Sequence, residues 1–91
     1  MAIIDTDLVP NRARLALDAS AVGSAILEND LEEARFRAHL IRSQALDLGL
    51  DDVAHAALMV VALLPPEARM PGRGIGRAML RLCHALDFGR R

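Results

Sequence analysis

Apolar positions recur along the chain at intervals of three and four, the spacing that collects side chains on one face of a helix. Leu15, Ala19, Val22 and Ile26 predict a first helix over 11–28, with Pro10 near its start and Gly23 weakening it. Leu31, Ala34, Ala38, Ile41, Ala45 and Leu48 form the clearest stripe and predict a second helix from Asp30 to about Leu48. Asp30 followed by Glu33 resembles a capping box at its start. Gly49 ends it, because glycine enters the left-handed conformation after a helix without steric penalty, and Leu50 can pack back on the preceding turn. Asp51 or Asp52 then caps a third helix that ends at Leu64, with Val53, Ala57, Val60 and Leu64 inward and Pro65-Pro66 as the stop. Residues 65–74 read as a Pro- and Gly-containing connection, and a fourth helix over Gly74–Phe88 turns Ile75, Met79, Leu82 and Leu86 inward. Residues 1–10 are left as an N-terminal arm.

Four amphipathic helices, with a short link between the second and third, predict an all-α fold, an antiparallel up-down four-helix bundle. Ninety-one residues fit one such domain, 1–91, and no internal repeat is visible. The chain is 53% hydrophobic and 25% charged, which is globular composition. With two Phe, no Trp and no Tyr, it lacks an aromatic platform for single-stranded nucleic acid. One cysteine, Cys83, excludes an internal disulfide and a Cys-based zinc finger. Asp5 and Asp7 stand where a signal peptide would be basic and then apolar, and the longest apolar run, Ala56–Leu64, is too short to span a bilayer. The expected location is the cytoplasm.

The second helix carries the candidate chemistry. His39 lies about 130° from the centre of the apolar stripe, so it is expected to face solvent. Arg35 at i−4, Phe36 at i−3, Arg42 at i+3, Ser43 at i+4 and Leu46 at i+7 surround it. A neutral imidazole already presents an unprotonated, nucleophilic nitrogen. Two guanidinium groups nearby would disfavour the imidazolium and steady a phosphoryl group placed on the ring. Phe36 and Leu46 are out of place on a face that meets only water and suit a docking surface.

The stretch from Asp30 through Ala38-His39, Arg42-Ser43 and Leu48-Gly49-Leu50 resembles the core of a histidine-containing phosphotransfer (HPt) domain. The resemblance covers roughly residues 28–64. His39 matches the phosphorylated histidine and Gly49 the hairpin glycine; Arg42 stands at the family's Lys position and Ser43 at its Gly position. The resemblance implies a four-helix bundle and a phosphocarrier in a two-component phosphorelay. His39 would accept a phosphoryl group from the Asp of a receiver domain and pass it to another receiver. Arg42 and Arg35 would steady the phosphate, Ser43 would line the approach, and Phe36, Leu46 and Glu32 would contact the partner. That partner is a response-regulator receiver or a hybrid histidine kinase. No cofactor is expected on this chain, Mg²⁺ belonging to the receiver, and no ATP site is seen. Arginine keeps the charge but not the geometry of lysine, and Ser43 adds a side chain where glycine permits close approach.

Two other readings stand beside it: a non-phosphorylated helical adaptor that sequesters a kinase or response regulator, and a homodimeric regulatory bundle that buries Phe36 and Leu46 between chains. Arg35 and Arg42 are read alternatively as partners of Glu32 or other surface acids. His55 and His84 read as solvated, and no pair of histidines has the i, i+4 spacing of a zinc helix. Cys83, His84 and Asp87 make only a loose cluster. Gly72-Arg73-Gly74-Ile75-Gly76 lacks the strand and the Lys-Ser/Thr of a P-loop. Charge is unevenly spread: residues 1–68 carry net −6 and residues 69–91 net +5, with Arg69, Arg73, Arg77 and Arg81 spaced by four. That spacing reads as a solvated face or a docking surface. No recognition motif or net basic charge accompanies it, so neither nucleic acid nor membrane is expected as a partner.

Overall fold

The computed structural model describes the backbone of residues 3–87 and the side chains of residues 12–86. Within them are four helices and no strand: α1 (Ile3–Leu27), α2 (Leu31–Asp47), α3 (Asp51–Ala62) and α4 (Ile75–Asp87). The predicted all-α class holds. The predicted end of the fourth helix at Phe88 lies outside the described residues.

Helix α1 begins at Ile3, not Asn11, so residues 3–10 extend the helix rather than forming an arm. Proline costs least at a helix start, which is why the pattern places the start there. The helix instead carries Pro10 within it, forgoing one amide donor.

The turns joining α1 to α2 and α2 to α3 have the same construction. Asn29 (φ 60°) and Gly49 (φ 75°) occupy the left-handed position after their helices. The next residue in each case bonds back across the turn: Asp30 N–H to Ala25 O and Leu50 N–H to Ala45 O, both 2.8 Å. Asn29 N–H reaches Ile26 O at 3.0 Å and Gly49 N–H reaches Leu46 O at 3.1 Å. These are Schellman closures, which satisfy carbonyls that a helix end leaves open. Asp30 and Leu50 then serve at once as the N-caps of α2 and α3. Such double use makes each connection three residues long.

The two caps differ in chemistry. Asp30 Oδ1 accepts from Glu33 N–H at 3.2 Å, but the reciprocal arm of the predicted capping box is missing, because Glu33 is drawn to Arg37. At α3 the cap is Leu50, with no side-chain bond, and Asp51 and Asp52 fall in the first turn instead of capping it. There their charges favour the helix dipole. α3 ends at Ala62, two residues before the predicted Leu64, although Leu64 still buries its side chain completely.

Helix α2 packs against α1 and α3, and α4 against α3 and α1; among the described residues the backbones of α1 and α3, and of α2 and α4, do not come close. The pairs α1/α4 and α2/α3 therefore form opposite sides of the molecule. The core is aliphatic and rich in alanine, and no polar side chain is buried among the described residues. Every predicted inward position is buried except Ile26, Leu48, Ile75 and Met79, which pack half-buried against the core. Ala25, Ala54, Ala56 and Ala78 join it.

Polar ties link successive helices at the rim. Arg37 of α2 donates from Nε to Glu33 Oε2 at 2.7 Å and from Nη1 to Asp18 Oδ1 of α1 at 3.4 Å. Arg35 Nη1 reaches Leu64 O beyond α3, Gly72 N–H bonds Leu63 O at 2.7 Å, and Arg12 Nη1 bonds Leu86 O of α4 at 3.1 Å.

Candidate functional site

The outer stripe of α2 is formed by Glu32, Phe36, His39, Ser43 and Leu46, all exposed. Their positions follow from helix geometry: burying Ala34, Ala38, Ile41 and Ala45 inward sends residues offset by one or two positions outward. Ala38, fully buried, is the residue immediately before His39, so the histidine's backbone is fixed by core packing while its ring stands in solvent. Phe36 is 59% and Leu46 50% exposed, one on each side of the imidazole along the helix.

The two arginines differ. Both are half-buried on the flank of α2 that faces α3. Arg35 Nη1 donates to Leu64 O at 3.4 Å, so this side chain leans toward the carbonyl beyond the end of α3. Arg42 makes no side-chain hydrogen bond or ion pair among the described residues, and Glu32 pairs with neither arginine. Arg42 is thus the guanidinium left available one turn from His39. The acids that do engage an arginine, Asp18 and Glu33, hold Arg37 on the opposite flank. The Glu33 hydrogen bond, followed by its charge, raises the Arg37 guanidinium above its ordinary value. The hydrophobic pattern gives no sign of this three-residue tie, since it depends on how α1 and α2 align.

Helix α3 adds Leu58 and Met59, both more than two-fifths exposed. Leu50 N–H on Ala45 O and Arg35 Nη1 on Leu64 O tie α2 to the α3 segment at two points. A signal for these residues exists in the sequence: Ala56–Val61 is wholly apolar, more than one buried face can absorb, so some of it must remain outside.

A depression of about 510 Å³ lies at one end between the α1–α2 turn and the α3–α4 connection, lined by Asp30, Glu32, Arg35 and Arg69 among others. Another, of about 480 Å³, is lined by Asp30, Glu32, Glu33 and Phe36, and neither takes in His39. Among the described residues no three His, Cys, Asp or Glu side chains gather closely enough to hold a metal ion. His55, His84 and Cys83 are each exposed, and the side chain of Asp87 lies outside the described residues. No described helix is long and apolar enough to cross a membrane. No family model matches the chain, and neither a curated protein nor a solved structure matches it.

An exposed imidazole on a rigid helix, with an available guanidinium one turn away and apolar side chains above and below, can accept an electrophile delivered by another macromolecule. The depressions beside it take in Glu32, Arg35 and Phe36 but not His39, an arrangement that suits a partner bringing its own pocket to the ring.

Proposed function

We propose that this protein is a histidine phosphotransfer protein of the HPt type, shuttling a phosphoryl group between receiver domains through His39, and that its four helices form an antiparallel up-down bundle. The bundle reading is supported by the order of the ties. Asp18 of α1 meets Arg37 of α2, Arg35 in the first half of α2 meets Leu64 just past the end of α3, and Arg12 of α1 meets Leu86 near the α4 end. With the three-residue turns, which bring the end of one helix to the start of the next, the Arg35 tie supports reversal of direction between α2 and α3.

The observation that carries the functional reading is the outward placement of His39, at mid-helix, between exposed Phe36 and Leu46. One ring nitrogen attacks phosphorus of the partner's acyl phosphate. The new N–P bond forms as the P–O bond to the aspartate breaks, and the carboxylate leaves with the electron pair, needing no proton. The other ring nitrogen keeps its proton during the attack and can release it to water afterwards. Arg42 balances the charge on the phosphoryl oxygens. Arg35 contributes from further off, because its guanidinium is turned toward Leu64 O. Phe36 and Leu46 supply the apolar area that holds the receiver.

Incubation with a receiver phosphorylated on aspartate tests this directly. The protein acquires an acid-labile label, and His39→Gln abolishes it while the far-UV circular dichroism stays unchanged. Equal labelling of His39→Gln removes His39 from the role.

The engagement of Arg35 by a backbone carbonyl favours one second reading, an adaptor that docks on the same face without carrying phosphate. It predicts receiver or kinase binding that survives His39→Ala and is lost with Phe36→Ala or Leu46→Glu. A homodimer formed through this face would instead double the mass in light scattering, and Leu46→Glu would restore the monomer.

A further inference from the structure

We infer that Arg35 couples the state of His39 to the α3–α4 connection: a phosphoryl group on the imidazole draws the guanidinium off Leu64 O and loosens residues 65–74. The inference rests on the phosphotransfer reading and adds a regulatory consequence to it. The carbonyls at the end of α3 find no later helical amide, because Pro65-Pro66 follow and carry no N–H. Donors come from elsewhere. Leu63 O accepts from Gly72 N–H at 2.7 Å, and a Cβ on Gly72 would stand 3.0 Å from Leu63 Cδ2, so the connection folds back as closely as glycine permits. Leu64 O accepts from Arg35 Nη1 at 3.4 Å and from no other donor among the described residues. Other backbone bonds of the connection are local, such as Ala68 N–H to Pro65 O at 3.1 Å. Its polar ties to the rest of the molecule are thus one backbone bond to the end of α3 and one guanidinium borrowed from α2.

Arg35 stands four residues before His39, so the two side chains are neighbours on α2. Its bond to Leu64 O is long for an N–H···O contact, and the acceptor is neutral. No carboxylate holds Arg35 in an ion pair among the described residues. Phosphoryl oxygens on the neighbouring ring are charged acceptors, and charge-assisted hydrogen bonds are shorter and roughly twice as strong as neutral ones. The exchange of one acceptor for the other is therefore favourable once His39 carries the group. The depression lined by Arg35, Pro66, Ala68 and Arg69 lies between α2 and the connection, so the connection is not packed solid against that helix. When the guanidinium leaves, Leu64 O loses its donor and the Gly72 bond to the adjacent residue remains alone. Arg42 has no bond to give up, so it steadies the phosphoryl group without passing the change on. Coupling of this kind is reciprocal: a partner that holds the connection loose favours the phosphorylated form of His39.

Site-resolved amide exchange by NMR on the whole protein tests the coupling. His55→Gln/His84→Gln serves as the parent, since both histidines are exposed and would also react. Phosphoramidate then modifies His39: the N–P bond to the ring forms as the P–N bond of the reagent breaks, and ammonia leaves. The Gly72 and Ala68 amides are expected to exchange about fivefold faster after phosphorylation, the worth of one lost hydrogen bond. The Asp30 amide, bonded to Ala25 O in the α1–α2 turn, keeps its rate. In Arg35→Ala the Gly72 and Ala68 amides exchange at the faster rate from the outset, and phosphorylation adds nothing. Unchanged exchange in the phosphorylated parent overturns the inference, and that comparison needs no Arg35 variant. An Arg35→Ala protein that responds as the parent does overturns it as well. Both results leave the phosphotransfer reading standing. A phosphorylated receiver that fails to label His39 overturns that reading, and the inference with it, whatever the exchange rates.

Discussion

Two glycines, each changed to alanine, should move stability in opposite directions, and backbone conformation alone sets the sign. Gly23 lies inside α1, and a Cβ there would meet its nearest neighbour, Met79 Cε, at 3.9 Å, an ordinary van der Waals contact. Gly49 lies in the α2–α3 turn with φ +75°, and a Cβ there would meet nothing within 4 Å. Neither variant is blocked sterically. At Gly23 the methyl group restricts the unfolded chain and suits the helix, a gain of about 0.5–1 kcal/mol. At Gly49 it must occupy the left-handed region, a loss of roughly 1–2 kcal/mol. The two variants should thus differ by about 2 kcal/mol, although each adds one methyl group.

For a domain of this size each kcal/mol moves the melting temperature by roughly 4–8 °C, so the separation is about 10 °C or more. Urea unfolding followed by circular dichroism measures it, with Gly23→Ala raising the midpoint, Gly49→Ala lowering it, and the slope unchanged. One position lies inside α1 and the other in the α2–α3 turn, so the double variant should fall near the sum. A shift of both midpoints in the same direction, or a Gly49→Ala protein as stable as the parent, would refute the assignment of the left-handed turn. Neither residue belongs to the His39 face, so activity per folded molecule should not change.

Leu64 is completely buried although it lies past the end of α3, so Leu64→Ala should lower stability by about 2–5 kcal/mol in the same urea assay. Ala38→Leu would force a larger side chain into the fully buried position beside His39; a loss of about 1–3 kcal/mol is expected, with a measurable fall in phosphoryl acceptance as the helix shifts. Arg37→Ala should lower stability slightly, and added salt should shrink the difference from the parent. Because the Arg37 guanidinium is raised above its ordinary value, its contribution holds at neutral and mildly alkaline pH, where its carboxylate partners are charged, and fades as strong alkali titrates it. Loss of the difference between pH 6 and pH 9, in urea titrations of both proteins, would contradict that sign.

Helix α2 is the element most fully readable from sequence, because independent signals agree there: a six-residue stripe, an acidic cap at Asp30 and a terminal glycine at 49. The outward placement of His39, Phe36, Ser43 and Leu46 follows from that stripe alone. The start of α1 is not readable in the same way. Local rules favour a start at Pro10, and only the whole-chain arrangement carries the helix back to Ile3. The cap of α3 was hidden for a different reason. Aspartate is the better capping residue, yet the turn closed by Gly49 delivers Leu50 to the cap position and leaves Asp51 and Asp52 one and two residues late. The state of the arginines is also invisible to periodicity. Three sites within about two helical turns, Arg35, Arg37 and Arg42, meet three different environments: a backbone carbonyl, a pair of carboxylates and none.

That division among the arginines links the fold to the site. Arg37 has both carboxylates within reach of α2's other flank, Glu33 and Asp18. Removing them from the α3 side leaves Arg42 without a competing anion, and a cation without a partner is the one able to receive an incoming phosphoryl group. Glu33 stands nine residues, about 13 Å along the helix, from Arg42 and on its other flank, beyond side-chain reach. Arg37→Ala should therefore leave phosphoryl acceptance at His39 unchanged, while Arg42→Ala lowers it with the fold intact. A fall in acceptance in Arg37→Ala would show that the two flanks of α2 are electrostatically coupled.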